Sequence, residues 1–62
     1  MDIKSIVGSS LNDAHAKAAI ENMILRVTWL DGRNLRVSAS HQTNRINVKV
    51  QSGVVTEIVS IG

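Results

Sequence analysis

Fourteen polar, loosely patterned residues, Asp31 to Asn44, separate two segments of this 62-residue chain that alternate as β-strands do. From Ile24 to Leu30 the residues Leu25, Val27 and Trp29 alternate with Arg26 and Thr28. From Arg45 to Gln51, Ile46, Val48 and Val50 point one way while Arg45, Asn47 and Lys49 point the other, as a half-buried strand requires. A connection this long with no structure of its own is uncommon in a compact domain and is usually functional or disordered. Ordering each of its residues costs ~1–2 kcal/mol of backbone entropy, and a core this small has little to set against an idle loop. The connection is therefore read as the working part of the molecule.

The rest of the chain reads as a scaffold for it. Ser10 is placed to cap a helix, with Asp13 three residues later in a shortened capping box, and the helix is expected over residues 11–22. Leu11, Ala14, Ala18 and Ala19 form its apolar stripe, the alanines allowing close approach to a sheet. Ile20 and Met23 fall at the stripe's edge, His15 lies near it, and Lys17 and Glu21 form an outward i, i+4 pair. Val54 to Ile61 is a third strand after the turn at Ser52-Gly53, so the last two strands form an antiparallel hairpin. Trp29 is placed on the face of Val27, in the core or at a sheet edge.

Asp31-Gly32 supports two arrangements. An Asp-Gly pair between apolar segments is a strong hairpin signal, and Leu35 with Val37 then form a fourth strand returning along the first. Alternatively the chain turns there, runs extended through Ser38, Ala39 and Ser40, and enters the next strand only at Arg45. Pattern alone leaves both open.

Composition narrows the function classes. The chain is one domain near the lower size limit for folding without staples, and with no cysteine its stability rests on packing. His15 and His41 are too far apart to suggest a zinc site, and no cofactor is expected. The seven Lys and Arg residues are spread along the chain with acids between them, and Trp29 is the one aromatic residue, so neither the basic stripe nor the stacking platform of a nucleic-acid binder is present. The start lacks a basic, apolar leader and no stretch approaches a membrane span, which implies a cytoplasmic setting, or a secreted one if a leader has been removed. An enzyme is not expected: no Ser, His and acid set has a motif context, and so short a chain has little room for a substrate pocket.

Ser10-Leu11-x-x-Ala14 opening the helix, Arg26-Val27 before Asp31-Gly32, and Asn44-Arg45-Ile46-Asn47-Val48 followed by Gly53-Val54-Val55 and Gly62 give a pattern over residues 6–62. It resembles the small bacterial and fungal elastase-inhibitor family, and more distantly the potato type I inhibitors such as eglin. The resemblance implies an α+β fold, potato-inhibitor-I-like, with one helix on a small mixed sheet and a long exposed loop between two parallel strands. Parallel neighbours need a crossover of about a dozen residues or more, which would explain the connection's length. It further implies a serine-peptidase inhibitor whose extended loop pairs with the protease cleft and, being already held in its bound shape, loses little entropy on docking.

By that resemblance the protease-binding loop spans Val37, Ser38, Ala39, Ser40, His41 and Gln42, with Ala39 entering the primary specificity pocket and Ser40 following the scissile bond. An alanine there implies a small apolar pocket of the subtilisin or elastase kind. Arg45 matches the family's bracing arginine, its planar fork of donors reaching the loop from below, and Asn47 lends polar support beneath it. Where the family has an acidic partner for that arginine stands Ser40, a neutral hydroxyl; Tyr, Arg and Pro are replaced by His41, Gln42 and Thr43; a cysteine near the end is replaced by Ile61. These departures keep a second reading beside the first, a non-inhibitory protein-interaction module on the same scaffold, with homodimerisation one form of it. For Arg45 and Asn47 the plain alternative is a pair of solvent-facing strand residues, and for His41 an exposed histidine with no role.

Overall fold

The computed structural model describes residues 3–37 and 40–62, a small α+β domain of one helix and a four-stranded mixed sheet. A short 3-10 turn (Ile3–Ile6) leads into α1 (Leu11–Ile20), then β1 (Ile24–Leu30), β2 (Arg33–Asn34), β3 (Arg45–Gln51) and β4 (Val54–Ile61). No helix among the described residues is long and apolar enough to cross a membrane.

Helix α1 starts where the cap predicts: the Ser10 Oγ accepts from the Asp13 N–H at 3.2 Å, a contact worth ~1 kcal/mol. It stops at Ile20, two residues earlier than the sequence suggests, because Asn22 turns left-handed with φ 55°. The Asn22 N–H then donates to the Ala19 carbonyl and the Met23 N–H to the Ala18 carbonyl, the paired bonds of a Schellman end, with Met23 packing against the core as the motif's apolar contact. Ala14 and Ala18 are buried and Leu11 is half-buried, whereas Ala19 and His15 are exposed, so the helix's buried face is narrower than its composition implies. Ile20 is 76 % exposed. The Lys17 ammonium turns toward the N-terminal segment, donating to the Ser9 Oγ at 2.7 Å and the Ser5 carbonyl at 3.2 Å.

The strands lie in the order β2-β1-β3-β4. β1 and β3 run parallel, Ile24 beside Arg45 and Leu30 beside Val50; β3 and β4 are antiparallel. On the helix side, Leu25, Ile46, Val48, Val50 and Val55 join Ile6, Ala14 and Ala18 in one core. Both tight turns use left-handed pairs, Asp31-Gly32 and Ser52-Gly53, whose positive φ values suit the strand twist of a two-residue hairpin. The Asp31 carboxylate accepts from the Ser52 N–H at 2.7 Å and ties the two turns together.

Asp31-Gly32 therefore makes a hairpin, but a very short one. β2 pairs only Asn34 with Trp29 and Arg33 with Leu30, and after the Leu35 N–H donates to the Thr28 carbonyl at 3.0 Å the chain leaves the sheet. A full fourth strand through Val37 does not form.

Trp29 departs from its expected face. The β1–β3 register slips by one residue between Val27 and Trp29, so that Thr28 is extra and Trp29 sits beside Lys49 rather than with the core residues. The Thr28 hydroxyl, bonding the Val48 carbonyl at 3.2 Å, fills the gap. A single inserted residue reverses the side of everything after it. The half-buried indole lies on the helix-free face with the Lys49 ammonium 6.0 Å from its centroid, and Lys49 also faces Glu57 at 3.7 Å. Strand β4 carries two such irregularities against β3, at Val59 and at Thr56.

Candidate protein-binding loop

Parallel pairing sets the geometry of the long connection. From Asn34, beside Trp29, the chain must return to Arg45, beside Ile24, a path of ~16–17 Å along the strand direction. The ten residues between, 35–44, reach at most ~33–36 Å fully extended. About half of that reach is used in getting back.

Its two limbs are fixed differently. The incoming limb hangs from the short hairpin through Leu35, and Leu35 and Val37 stay exposed. The outgoing limb is tied at three points: the Asn44 carbonyl accepts from the Ile24 N–H at 2.8 Å, the Gln42 carbonyl from the Arg45 N–H at 3.3 Å, and the Ser40 carbonyl from the Arg45 Nη2. Ser40, His41 and Gln42 are exposed. Ser38 and Ala39 lie outside the described residues.

Beneath the loop is a polar cluster that binary patterning would have sent to solvent. Arg45 and Asn47 occupy the helix-free face of β3, yet are only 8 % and 5 % exposed. Among the described residues no buried side-chain nitrogen or oxygen lacks a hydrogen-bond partner, which offsets part of the cost of burying them. The Arg45 Nε donates to the Gly62 backbone oxygen at 3.0 Å, and the Asn47 Nδ2 donates to the same oxygen at 3.1 Å and to the Ser60 Oγ at 3.1 Å. The Asn47 Oδ1 accepts from the Arg26 Nε at 2.8 Å across the parallel pair. A continuous hydrogen-bonded path thus runs from Arg26 on β1 through Asn47 and Gly62 to Arg45 and the Ser40 carbonyl. Partial desolvation, and then the nearby positive charge of Arg45, push the Arg26 guanidinium below the ordinary arginine range.

Of the residues singled out from sequence, Arg45, Asn47 and Ser40 are brought together. Two partners of that cluster carried no assigned role: Arg26 and Gly62. Arg26 becomes legible once parallel pairing sets it opposite Asn47, whereas Gly62 contributes only backbone and leaves no side-chain signal. Gly62 adopts φ 151°, its N–H donates to the Arg45 carbonyl at 2.9 Å, and a Cβ there would fall 2.7 Å from the His41 Nδ1. The exposed imidazole of His41 thus lies against the glycine and caps the cluster. Gly62→Ala is expected to displace His41 and loosen the outgoing limb, at a cost of ~1 kcal/mol from the disfavoured backbone angle. Faster amide exchange at residues 40–44, with the β3–β4 amides protected as before, would bear this out; unchanged exchange at 40–44 would exclude it.

Comparison with protein-family models, with curated proteins and with solved structures yields no match.

Proposed function

We propose that this chain is a proteinaceous inhibitor of serine-type peptidases, built on a potato-inhibitor-I-like scaffold and presenting residues 37–42 as a substrate-like loop. The observation that carries the reading is the Arg45 guanidinium gripping the Ser40 backbone carbonyl from below while anchored on Gly62. Because the grip is on main chain, the brace does not depend on an acidic side chain after the scissile bond. Ser40 supplies what the brace needs despite its neutral hydroxyl.

The chemistry follows from where that grip falls. If a peptidase attacks the Ala39–Ser40 bond, the new amine belongs to a residue whose carbonyl is still held by Arg45, and whose chain is tied again at Gln42 and Asn44. The amine stays beside the acyl group, so re-forming the bond competes with its loss to water. A small Ala39 side chain suits a shallow apolar pocket, and a loop tied at Ser40, Gln42 and Asn44 has less left to order on docking. The same braced loop also serves the second reading, an interaction module that inhibits nothing, which His41, Gln42 and Thr43 favour by standing where the resembled family has other residues.

Titration against subtilisin and pancreatic elastase tests the proposal. Stoichiometric loss of peptidase activity is expected, and Ala39→Asp is expected to weaken it at least about tenfold, since a carboxylate entering an apolar pocket loses its hydration. Steady digestion of the protein within residues 37–42 would reject the inhibitor reading. Complete indifference of both enzymes would leave the interaction module as the better account.

A further inference from the structure

We infer that Arg26, which lies on a different strand from the brace, is a positioning residue for the loop: its Nε–H fixes which way the Asn47 amide points, and the amide in turn holds the Gly62 oxygen on which Arg45 is anchored. Its effect on inhibition rests on the function proposed above; its effect on the rigidity of the loop does not.

An asparagine side chain ends in two groups of similar shape and opposite character, a carbonyl that accepts and an NH2 that donates, whereas a guanidinium can only donate. The end of Asn47 that faces Arg26, its parallel-paired neighbour on β1, is accordingly the oxygen, at 2.8 Å. The Nδ2 is left pointing toward β4, where its hydrogens meet the Ser60 Oγ and the Gly62 oxygen, each at 3.1 Å. Turned over, the amide would set NH2 against the Arg26 Nε–H and oxygen against the Gly62 oxygen, two like-to-like contacts around a side chain almost wholly out of water. Ser60 would not resist the turn, since a hydroxyl donates as readily as it accepts. The orientation is held from Arg26 at one end and Gly62 at the other.

What the amide holds is the anchor of the loop. The oxygen of buried Gly62 accepts from the Asn47 Nδ2 and from the Arg45 Nε, while the Arg45 Nη2 reaches the Ser40 carbonyl. Without the Asn47 donor that oxygen keeps one partner of two, and the guanidinium that grips the loop loses a fixed point beneath it. The charge of Arg26 acts in the other direction. Partial desolvation, and then the nearness of Arg45, hold its guanidinium below the ordinary arginine range, so removing or reversing that charge relieves a repulsion under the loop. Loss of the donor should loosen the loop, whereas loss of the charge alone should tighten it.

Glutamine and glutamate carry their end atoms as many bonds from the backbone as the arginine Nε, the first able to donate from that point and the second, ionised, able only to accept. Amide exchange at residues 40–44 is compared for the wild type, Arg26→Gln, Arg26→Glu and, as a mildly destabilised control, Ile46→Val. Relative to the β3–β4 amides, exchange at 40–44 is expected to stay within about twofold of the wild type in Arg26→Gln and to rise about tenfold in Arg26→Glu. The Asn47 Nδ2 protons should exchange slowly in the wild type and in Arg26→Gln and quickly in Arg26→Glu, a change that lost stability alone does not produce in Ile46→Val. If Arg26→Glu does not fold, Arg26→Met removes the donor without adding an acceptor, and the same contrast with Arg26→Gln is expected. Exchange at 40–44 that is equal in the donor and acceptor variants, or slower in the acceptor variant, would overturn the positioning role. No peptidase enters these measurements, so the two claims fail separately: equal exchange with undiminished inhibition of subtilisin would remove the positioning role and leave the inhibitor reading intact, and the expected contrast in a chain that inhibits nothing would do the reverse.

Discussion

Arg45→Ala is expected to lower the urea midpoint sharply and to convert the loop into a good protease substrate. The side chain is buried, and two of its donors hold the Gly62 oxygen and the Ser40 carbonyl. Hydrogen bonds to a charged group contribute ~1.5–3 kcal/mol each, and their loss also strands buried acceptors, so a total near ~3 kcal/mol is expected. A chain of 62 residues has only ~3–9 kcal/mol of stability to lose. Arg45→Lys separates charge from geometry: an ammonium keeps the positive charge but cannot span both acceptors as a planar fork does, so it should recover part of the stability and little of the loop's resistance. Urea denaturation followed by limited proteolysis, with cleavage mapped, reads both effects. If the loop of Arg45→Ala is cut no faster than that of the wild type, the brace has no role in holding it.

Ile46→Ala is the second large effect, and it acts on the scaffold. Ile46 is fully buried in the core, beside Leu25 on one side and Ile61 on the other. Truncation removes its apolar burial and opens a cavity, a combination that costs ~2–5 kcal/mol, a large share of the stability of a domain this small. Ile46→Val should cost ~0.5–1.5 kcal/mol and keep the fold. Because Arg45 and Asn47 flank Ile46 on the same strand, the loop should lose its resistance together with the core in Ile46→Ala, in one transition by circular dichroism and proteolysis alike. A loop that stays protected after the sheet melts would contradict this coupling.

The strand bounds of β1, β3 and β4 were readable because period-two alternation and left-handed turn pairs are local signals, set within a few residues. The helix start was equally local, in Ser10. Its end was not, since Asn22 rather than a glycine supplies the left-handed residue. Trp29 was assigned to the wrong face for a physical reason: a β-bulge conserves composition but breaks parity, and nothing around Thr28 marks the extra residue. The candidate site was half legible. Arg45 and Asn47 stood out as a pattern, but their burial depends on what lies above them, the loop and Gly62, and coverage by main chain from distant parts of a sequence has no periodicity to read. The hairpin at Asp31-Gly32 and the long excursion were posed as alternatives, and the chain uses both in turn, two residues of ladder followed by departure.

The two slips in β4 affect how this protein behaves in a crowd. An outermost strand offers its free amides and carbonyls as a template for foreign β-segments, and apolar side chains such as Val59 and Ile61 would strengthen that pairing. Here the strand's first residues are already occupied, with the Gly8 N–H on the Val55 carbonyl and the Val55 N–H on the Ser9 carbonyl. Past that point the kinks at Thr56 and Val59 keep the remaining rim from presenting a straight row of partners. A straight incoming strand would find its spacing broken twice within six residues, an in-built defence against edge-to-edge aggregation at high concentration.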